Sequence, residues 1–438
     1  MISARQNELI TRISPGTACG QLMRQFWQPC ALVEELPAAR PVKPVRLLGE
    51  DFVLFRDPRG RFGLLERACP HRGADLAFGR LEDGGLRCAF HGWLFDVTGS
   101  CLQTPAEPKG SKLCDHIRQA SYPVAERNGI LFAYLGTGEP PPFPAFDCFT
   151  APGTHSFAFK GLIECNWLQA LEVGIDPAHA SFLHRFFEDE DPSDAYGKQF
   201  RAASAGTDIP MTRILREYES PSIEVEPTNY GLRISARREI DQTTTHVRVT
   251  NLCFPHAFVI PMSEQMNITQ WHVPVDDTSC YWYAIFASFG EPVDQEHMRA
   301  QRLELYTLPD YRPIRGKFND YGYDAAEQSQ STYTGMGHDI NVHDQWAVES
   351  QGPIQDRTRE HLGQSDIAIS HYRRLLLANL RDLEEGRRPS LLPDQAIAAA
   401  MTGPAVVDAL LPSANWQQAW QDLDRARRAK VSWLGDRA

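Results

Sequence analysis

Apolar and polar residues change rhythm along this chain, and each change predicts a different kind of element. Over residues 1–30, Leu9 and Ile10, then Met23, Phe26 and Trp27, recur at helical spacing around a Ser14-Pro15-Gly16 break. From about residue 42 the period is that of short strands: Val42, Val45, Leu47 and Leu48, then Phe52-Val53-Leu54-Phe55, with turns at Gly49 and Asp57-Pro58-Arg59-Gly60. The same rhythm passes through Leu64-Leu65 and Leu94-Phe95 and ends at Ile130-Leu131-Phe132-Ala133-Tyr134-Leu135. Gly138-Glu139-Pro140-Pro141-Pro142-Phe143-Pro144 follows and predicts a proline-stiffened linker. Beyond it, Asn166-Trp167-Leu168 opens a helix, residues 223–290 read as a meander of strands, and from about 344 the pattern is mostly helical. The prediction is an α+β protein: a helical lead-in (1–30) packing with the larger domain, a small all-β domain (31–140), and a larger domain (141–438) with an antiparallel sheet surrounded by helices.

Composition narrows the class. At 438 residues, 42% hydrophobic and 23% charged, the chain has the makeup of an ordinary globular protein of two domains. No run approaches the length of a membrane span, and no signal-peptide core is present, so a cytoplasmic protein without a membrane partner is expected. The net charge of −12 argues against nucleic acid as a partner and means that an anionic substrate needs a local basic pocket. Of ten cysteines, two stand in a motif described next; Cys19, Cys30, Cys148, Cys165, Cys253 and Cys280 lie far apart. Cys101 and Cys114 are closer but show no paired spacing, so all eight are expected to be reduced, buried thiols.

The motif is Cys69-Pro70-His71, answered by Cys88-Ala89-Phe90-His91-Gly92-Trp93. Each half offers one thiol and one imidazole and is set among glycines that suit tight loops. A structural zinc site uses the same four side chains, but zinc ligands usually pair Cys with Cys and His with His. One Cys and one His per loop is what a [2Fe–2S] centre of the Rieske type requires, with two thiolates on one iron and two imidazoles on the other.

A cluster that carries single electrons needs an acceptor. His179 and His184 stand five residues apart after Asp176 and Pro177. On an ideal helix that step turns about 500°, leaving the rings about 140° apart, so a helix start or distortion has to bring them together. Asp176 before Pro177 is placed to cap such a helix. Two histidines so spaced are more often core residues, but beside an electron carrier they fit the two-histidine part of a 2-His-1-carboxylate Fe(II) site. Asp339, Asp344, Glu349 and Asp356 are the candidates for the carboxylate, with Asp344 at the start of a helical run.

With these residues assembled, the chain resembles the Rieske non-haem iron oxygenases, in particular the oxygenase (alpha) component of the phthalate dioxygenase-like group. The likeness also covers Gln270-Trp271-His272-Val273-Pro274-Val275-Asp276-Asp277 and the run from Gly352 to Gly363. It implies Asp344 as the third Fe(II) ligand and Asp176 as a bridge between the Rieske histidine of one subunit and an iron histidine of its neighbour. It further implies a homotrimer or a multiple of it, an NADH-dependent flavin or iron–sulfur reductase as electron donor, and O2 as co-substrate. The activity implied is dioxygenation of an aromatic carboxylate, with phthalate-type cis-dihydroxylation first and oxidative O-demethylation or aryl-ether cleavage of a methoxy- or phenoxybenzoate as alternatives. An electron carrier without oxygenase activity is the reading from a different class. Glu172 departs from relatives that carry an amide there, leaving open whether it adds charge near the electron path. An aryl carboxylate calls for a bidentate arginine, for which Arg213 and Arg248 are the candidates, with Arg216, Arg237 and Arg238 competing.

Overall fold

A computed structural model describes residues 2–82, 84–189 and 211–434. Two helices, α1 (Ala4–Thr11) and α2 (Ala18–Arg24), open the chain, with Ser3 and Gln6 forming a capping box on the first and Thr17 capping the second. Their apolar faces, including Ile10, Leu22 and Met23, are buried. Asn7 Nδ2 donates to Gln355 O at 3.0 Å, so the lead-in packs on the far half of the chain.

Three small antiparallel sheets follow. One joins β1 (Gln28–Leu32) to two later strands, β10 (Val124–Arg127) and β11 (Ile130–Ala133). The second joins β2 (Val42–Leu47), β3 (Glu50–Arg56), β4 (Phe62–Glu66) and β9 (Ser121–Tyr122). The third joins β5 (Arg80–Glu82), β6 (Gly85–Arg87), β7 (Leu94–Phe95) and β8 (Cys101–Gln103), and a one-turn helix, α3 (Leu113–His116), comes after it. Val53, Phe55, Leu65, Leu76, Leu86 and Phe95 form one core with Cys69, Cys88 and Trp93. The proline-rich segment after β11 is packed rather than free. Trp27 Nε1 donates to Pro141 O at 2.7 Å, and the indole stacks on Phe143.

The larger domain is built on an eight-stranded sheet. Its strands run in the order β12 (Ser156–Ile163), β18 (Ser279–Ser288), β17 (Met266–Asp276), β16 (Ala257–Ser263), β15 (Thr244–Cys253), β14 (Gly231–Glu239) and β13 (Ser222–Pro227). The eighth, β19 (Val407–Pro412), pairs antiparallel with β15 inside a tail expected to be helical. Val407, Ala409 and Leu411 alternate with Asp408 and Leu410 and bury against Val247, Val249, Trp416 and Trp420. The period-2 signal is there, but it is six residues long and set among helical stretches.

Helix α4 (Trp167–Gly174) crosses this sheet and is locked at its start. Asn166 caps it through Leu168 N at 3.2 Å, and Gln169 donates to Gly352 O at 2.7 Å and accepts from Gln355 N at 2.8 Å. Glu172 on the same helix, buried, receives Arg373 through two bonds of 2.6 and 2.8 Å and Arg357 Nη2 at 3.1 Å; Arg373 also binds Glu360. Two guanidinium groups against two carboxylates make the cluster electroneutral, so Glu172 ties helix, 352–363 segment and the long helix that carries Arg373 together. Burial by itself would raise the Glu172 carboxyl, but the Arg357 and Arg373 charges outweigh it and hold it below the ordinary value.

Glu172→Ala is therefore expected to lower stability by about 3–5 kcal/mol, read as a fall in the urea midpoint, because it leaves two guanidinium groups buried with too few carboxylates. The depressed carboxyl contributes stability above the ordinary value of 4.5 that is lost as pH falls through the lower folded value. In Glu172→Gln that part of the acid dependence is expected to vanish.

Candidate metal centres and substrate cavity

The two halves of the Cys-His motif fold into matching loops. Cys69 N donates to Ala74 O and Cys88 N to Trp93 O, both at 2.8 Å, each reaching five residues ahead. Gly73 N and Gly92 N return to the cysteine carbonyls at 2.8 and 3.0 Å, with φ of +74° and +76° that favour glycine at both turns. The cysteines are buried, while His71 and His91 are half-buried, their rings 4.5 Å apart, and His71 stacks on Trp93 at 4.4 Å.

These residues fit a two-iron cluster. His91 Nδ1 is buried with no hydrogen-bond partner, as expected of a ligand nitrogen. Burial pushes the Cys69 thiol up to about 11, with the neighbouring Cys88 sulfur adding to the rise, so thiolates here call for a cationic centre. Among the described residues, the group whose ligand atoms all lie within 4.8 Å of one another is instead His179, His184 and Asp344.

His179 immediately precedes the single-turn helix α5 (Ala180–Leu183), and His184 immediately follows it. The short turn resolves the divergence expected on a regular helix: Nε2 of His179 and Nε2 of His184 are 3.2 Å apart. Asp344 Oδ1, from α7 (Ile340–Glu349), lies 3.6 Å from the first and 3.3 Å from the second. Both rings are oriented from behind. His179 Nδ1 bonds to the Asp176 carbonyl oxygen. His184 Nδ1 meets His343 Nδ1 at 3.4 Å, and His343 Nε2 donates to Gly337 O at 2.9 Å. Burial pushes His343 down to about 4, so it is a neutral acceptor for the His184 N–H, and the His184 Nε2 lone pair faces the site. Sequence reasoning missed His343, whose one signal is its place beside Asp344. Asp344 Oδ1 is buried without a donor, so three acceptor atoms converge where a divalent cation fits.

The other candidate carboxylates have structural partners. Asp339 caps α7 through Asn341 N at 3.0 Å. Glu349 takes Glu164 N at 2.8 Å and Tyr321 Oη at 2.8 Å, and Asp356 binds Thr358 in a surface turn. One expectation is corrected. Asp176 does not cap the helix; its Oδ1 accepts from Ala178 N at 2.8 Å in an Asx turn, because the helix starts only after His179.

A largely apolar cavity opens over the triad. Phe258, Ile260, Met262 and Ile268 supply apolar wall, and Arg248 and Gln270 supply polar groups. Arg248 Nη1 is bonded to Asp408 Oδ2 at 2.6 Å and Nη2 to Pro261 O at 3.1 Å. Arg213 is not in the wall: it is exposed on α6 (Met211–Glu217) and pairs with Glu217 at 3.0 Å. The helix presents Met211, Thr212 and Leu215 to the cavity instead, and Arg213 falls on its outer side. Arg216 and Arg237 pair with Asp189 and Glu224. Arg238 is buried and braces the turn between the two histidines, reaching Pro177 O and Ser181 Oγ, each at 3.3 Å.

Comparison with known proteins assigns both halves of the chain to families. Residues 26–123 match the Rieske [2Fe-2S] domain family, and residues 133–427 match the family described as LigXa C-terminal domain like. The phthalate 4,5-dioxygenase oxygenase subunit of Pseudomonas putida is 36% identical over 88% of each chain. The oxygenase subunit of tert-butanol monooxygenase / tert-amyl alcohol desaturase from Aquincola tertiaricarbonis is 34% identical over 88% of this chain and 78% of its own. The 5,5'-dehydrodivanillate O-demethylase oxygenase subunit of Sphingobium sp. is 31% identical over 93% and 87%. Dicamba monooxygenase bound to dicamba shares the fold, with a TM-score of 0.56 at 20% identity over 83% of this chain and 99% of that one. On these matches the chain belongs to the Rieske non-haem iron oxygenases, as an oxygenase component of their phthalate dioxygenase-like group.

Proposed function

We propose that this terminal oxygenase oxidises an aromatic carboxylate by cis-dihydroxylation, with electrons from an NADH-dependent reductase, and that a benzoate bearing one carboxylate is favoured over phthalate. The observation that carries the reading is Arg248, set in a largely apolar cavity beside His179, His184 and Asp344. Among the described residues that line this cavity it is the one cation, and Asp408 shares its charge, which suits one carboxylate better than two. The same feature supports a second reading, O-demethylation or ether cleavage of a methoxy- or phenoxybenzoate, since such a substrate carries a single carboxylate at the same anchor.

In this proposal Cys69, His71, Cys88 and His91 hold the [2Fe–2S] cluster, and His179, His184 and Asp344 hold Fe(II). When bound, the cluster supplies single electrons and the iron supplies the site at which O2 is activated. The chain's own residues do the rest. Arg248 orients the carboxylate, the Phe258 and Ile260 wall excludes water from the ring, and His343 fixes the His184 ring through its N–H. Asp176 lies between subunits of a homotrimer, or a multiple of it, joining a cluster histidine of one subunit to His179 of the next.

Oxygen uptake with benzoate, phthalate isomers and methoxy- or phenoxybenzoates, followed by product identification, tests the substrate class; no turnover of any aryl carboxylate would overturn it. Arg248→Gln is expected to lower the preference for an acid over its methyl ester by roughly tenfold or more, about 1.4 kcal/mol or above, measured as the ratio of kcat/KM values. Wild-type protein should hold about three Fe per chain, and Asp344→Ala about two with its visible colour kept. A carrier without the mononuclear centre would show about two in both. Asp176→Asn should keep both metals yet slow single-turnover electron transfer by roughly tenfold or more; an unchanged rate would remove Asp176 from the path.

A further inference from the structure

Two cysteines that sequence spacing leaves unpaired are neighbours in space. Cys101 in β8 and Cys114 in α3 have sulfurs 3.0 Å apart. Cys114 Sγ also lies 3.0 Å from the Cys101 carbonyl oxygen. A disulfide needs about 2.05 Å between sulfurs, so closure asks for a movement of about 1 Å. The expectation of burial is corrected for this pair: of the ten cysteines these two are the only ones that are not buried, because the 104–112 segment between them lies on the surface, and a small oxidant has access to them.

The segment between them, residues 104–112, is almost wholly exposed and leans on the second cluster loop. Pro105 Cγ lies 2.8 Å from the position a Cβ on Gly92 would take, so the proline ring closes the space beside that glycine. Arg87 links the two as well, donating to Gln103 Oε1 at 2.6 Å and to the Gly92 carbonyl oxygen. Whatever fixes Cys101 to Cys114 therefore fixes a strap against the loop that holds Cys88 and His91.

We propose that Cys101 and Cys114 form a modification site: a dithiol that hydrogen peroxide converts reversibly to a disulfide, clasping the 104–112 strap beside the cluster loop. One thiolate attacks a peroxide oxygen, the O–O bond breaks, and a sulfenic acid and the first water result. The second sulfur displaces the sulfenic hydroxyl as another water, so two thiols and one peroxide become one disulfide and two waters. The sulfurs lose two electrons and the peroxide gains them. Two-electron reduction of O2 that is not followed by oxidation of substrate releases this oxidant, so an oxygenase is itself a source of it.

The test uses the holoprotein, treated with equimolar hydrogen peroxide, quenched in acid, denatured and alkylated with iodoacetamide. Alkylated cysteines are expected to fall from ten to eight, with tryptic mapping showing the Cys101 peptide joined to the Cys114 peptide. Dithiothreitol should restore ten, and Cys101→Ser and Cys114→Ser should each abolish the link. Full alkylation after peroxide overturns the proposal. So does separate oxidation of the two sulfurs to sulfinic acids. A link that survives in Cys101→Ser also overturns it, because Cys88, on the same tryptic peptide, would then be the partner.

Discussion

Nε2 of His179, Nε2 of His184 and Oδ1 of Asp344 are pressed to within 3.2–3.6 Å of one another, and the carboxylate oxygen among them is buried without a donor. Acceptors so close repel unless a cation sits among them, so the fold has to hold them together from outside. It does this with fixed partners on every side. The Asp176 carbonyl and His343 each take the outer nitrogen of one ring, and Arg238 bonds Pro177 O ahead of His179 and Ser181 Oγ between the two histidines. Asp339 caps the helix that carries Asp344.

Behind that arrangement lies a second constraint, the pairing of buried charge. Helix α4 leads into the histidine turn and is anchored by Glu172 with Arg357, Arg373 and Glu360, all buried or nearly so. The open question about Glu172 is answered there: its charge is absorbed by two guanidinium groups, not directed at the cavity. The same rule acts inside the cavity, where Arg248 is matched by Asp408 from β19. A strand that sequence periodicity passed over thus sets the charge of the cavity.

The two metal centres are specified in different ways. In the small domain each loop is complete in itself, and two five-residue turns with the same hydrogen bonds and the same left-handed glycine present one Cys and one His apiece. In the large domain the candidate ligands come from two segments more than 150 residues apart, and a single-turn helix, not a regular one, brings the histidines together.

The sequence by itself determined the α+β class, the order of its parts and the candidate ligands in the two Cys-His loops, because alternation, helical spacing and the C-x-H…C-x2-H run are local patterns. It also named His179 and His184, and put Asp344 among four carboxylates. What only the tertiary structure decided is where distant residues meet: that Asp339, Glu349 and Asp356 are spent on caps and buried bonds, that His343 backs His184, that Arg213 faces outward while Arg248 faces in, and that Cys101 touches Cys114. Each of these depends on which face an element buries and on which remote segment packs there, and no spacing along the chain encodes that.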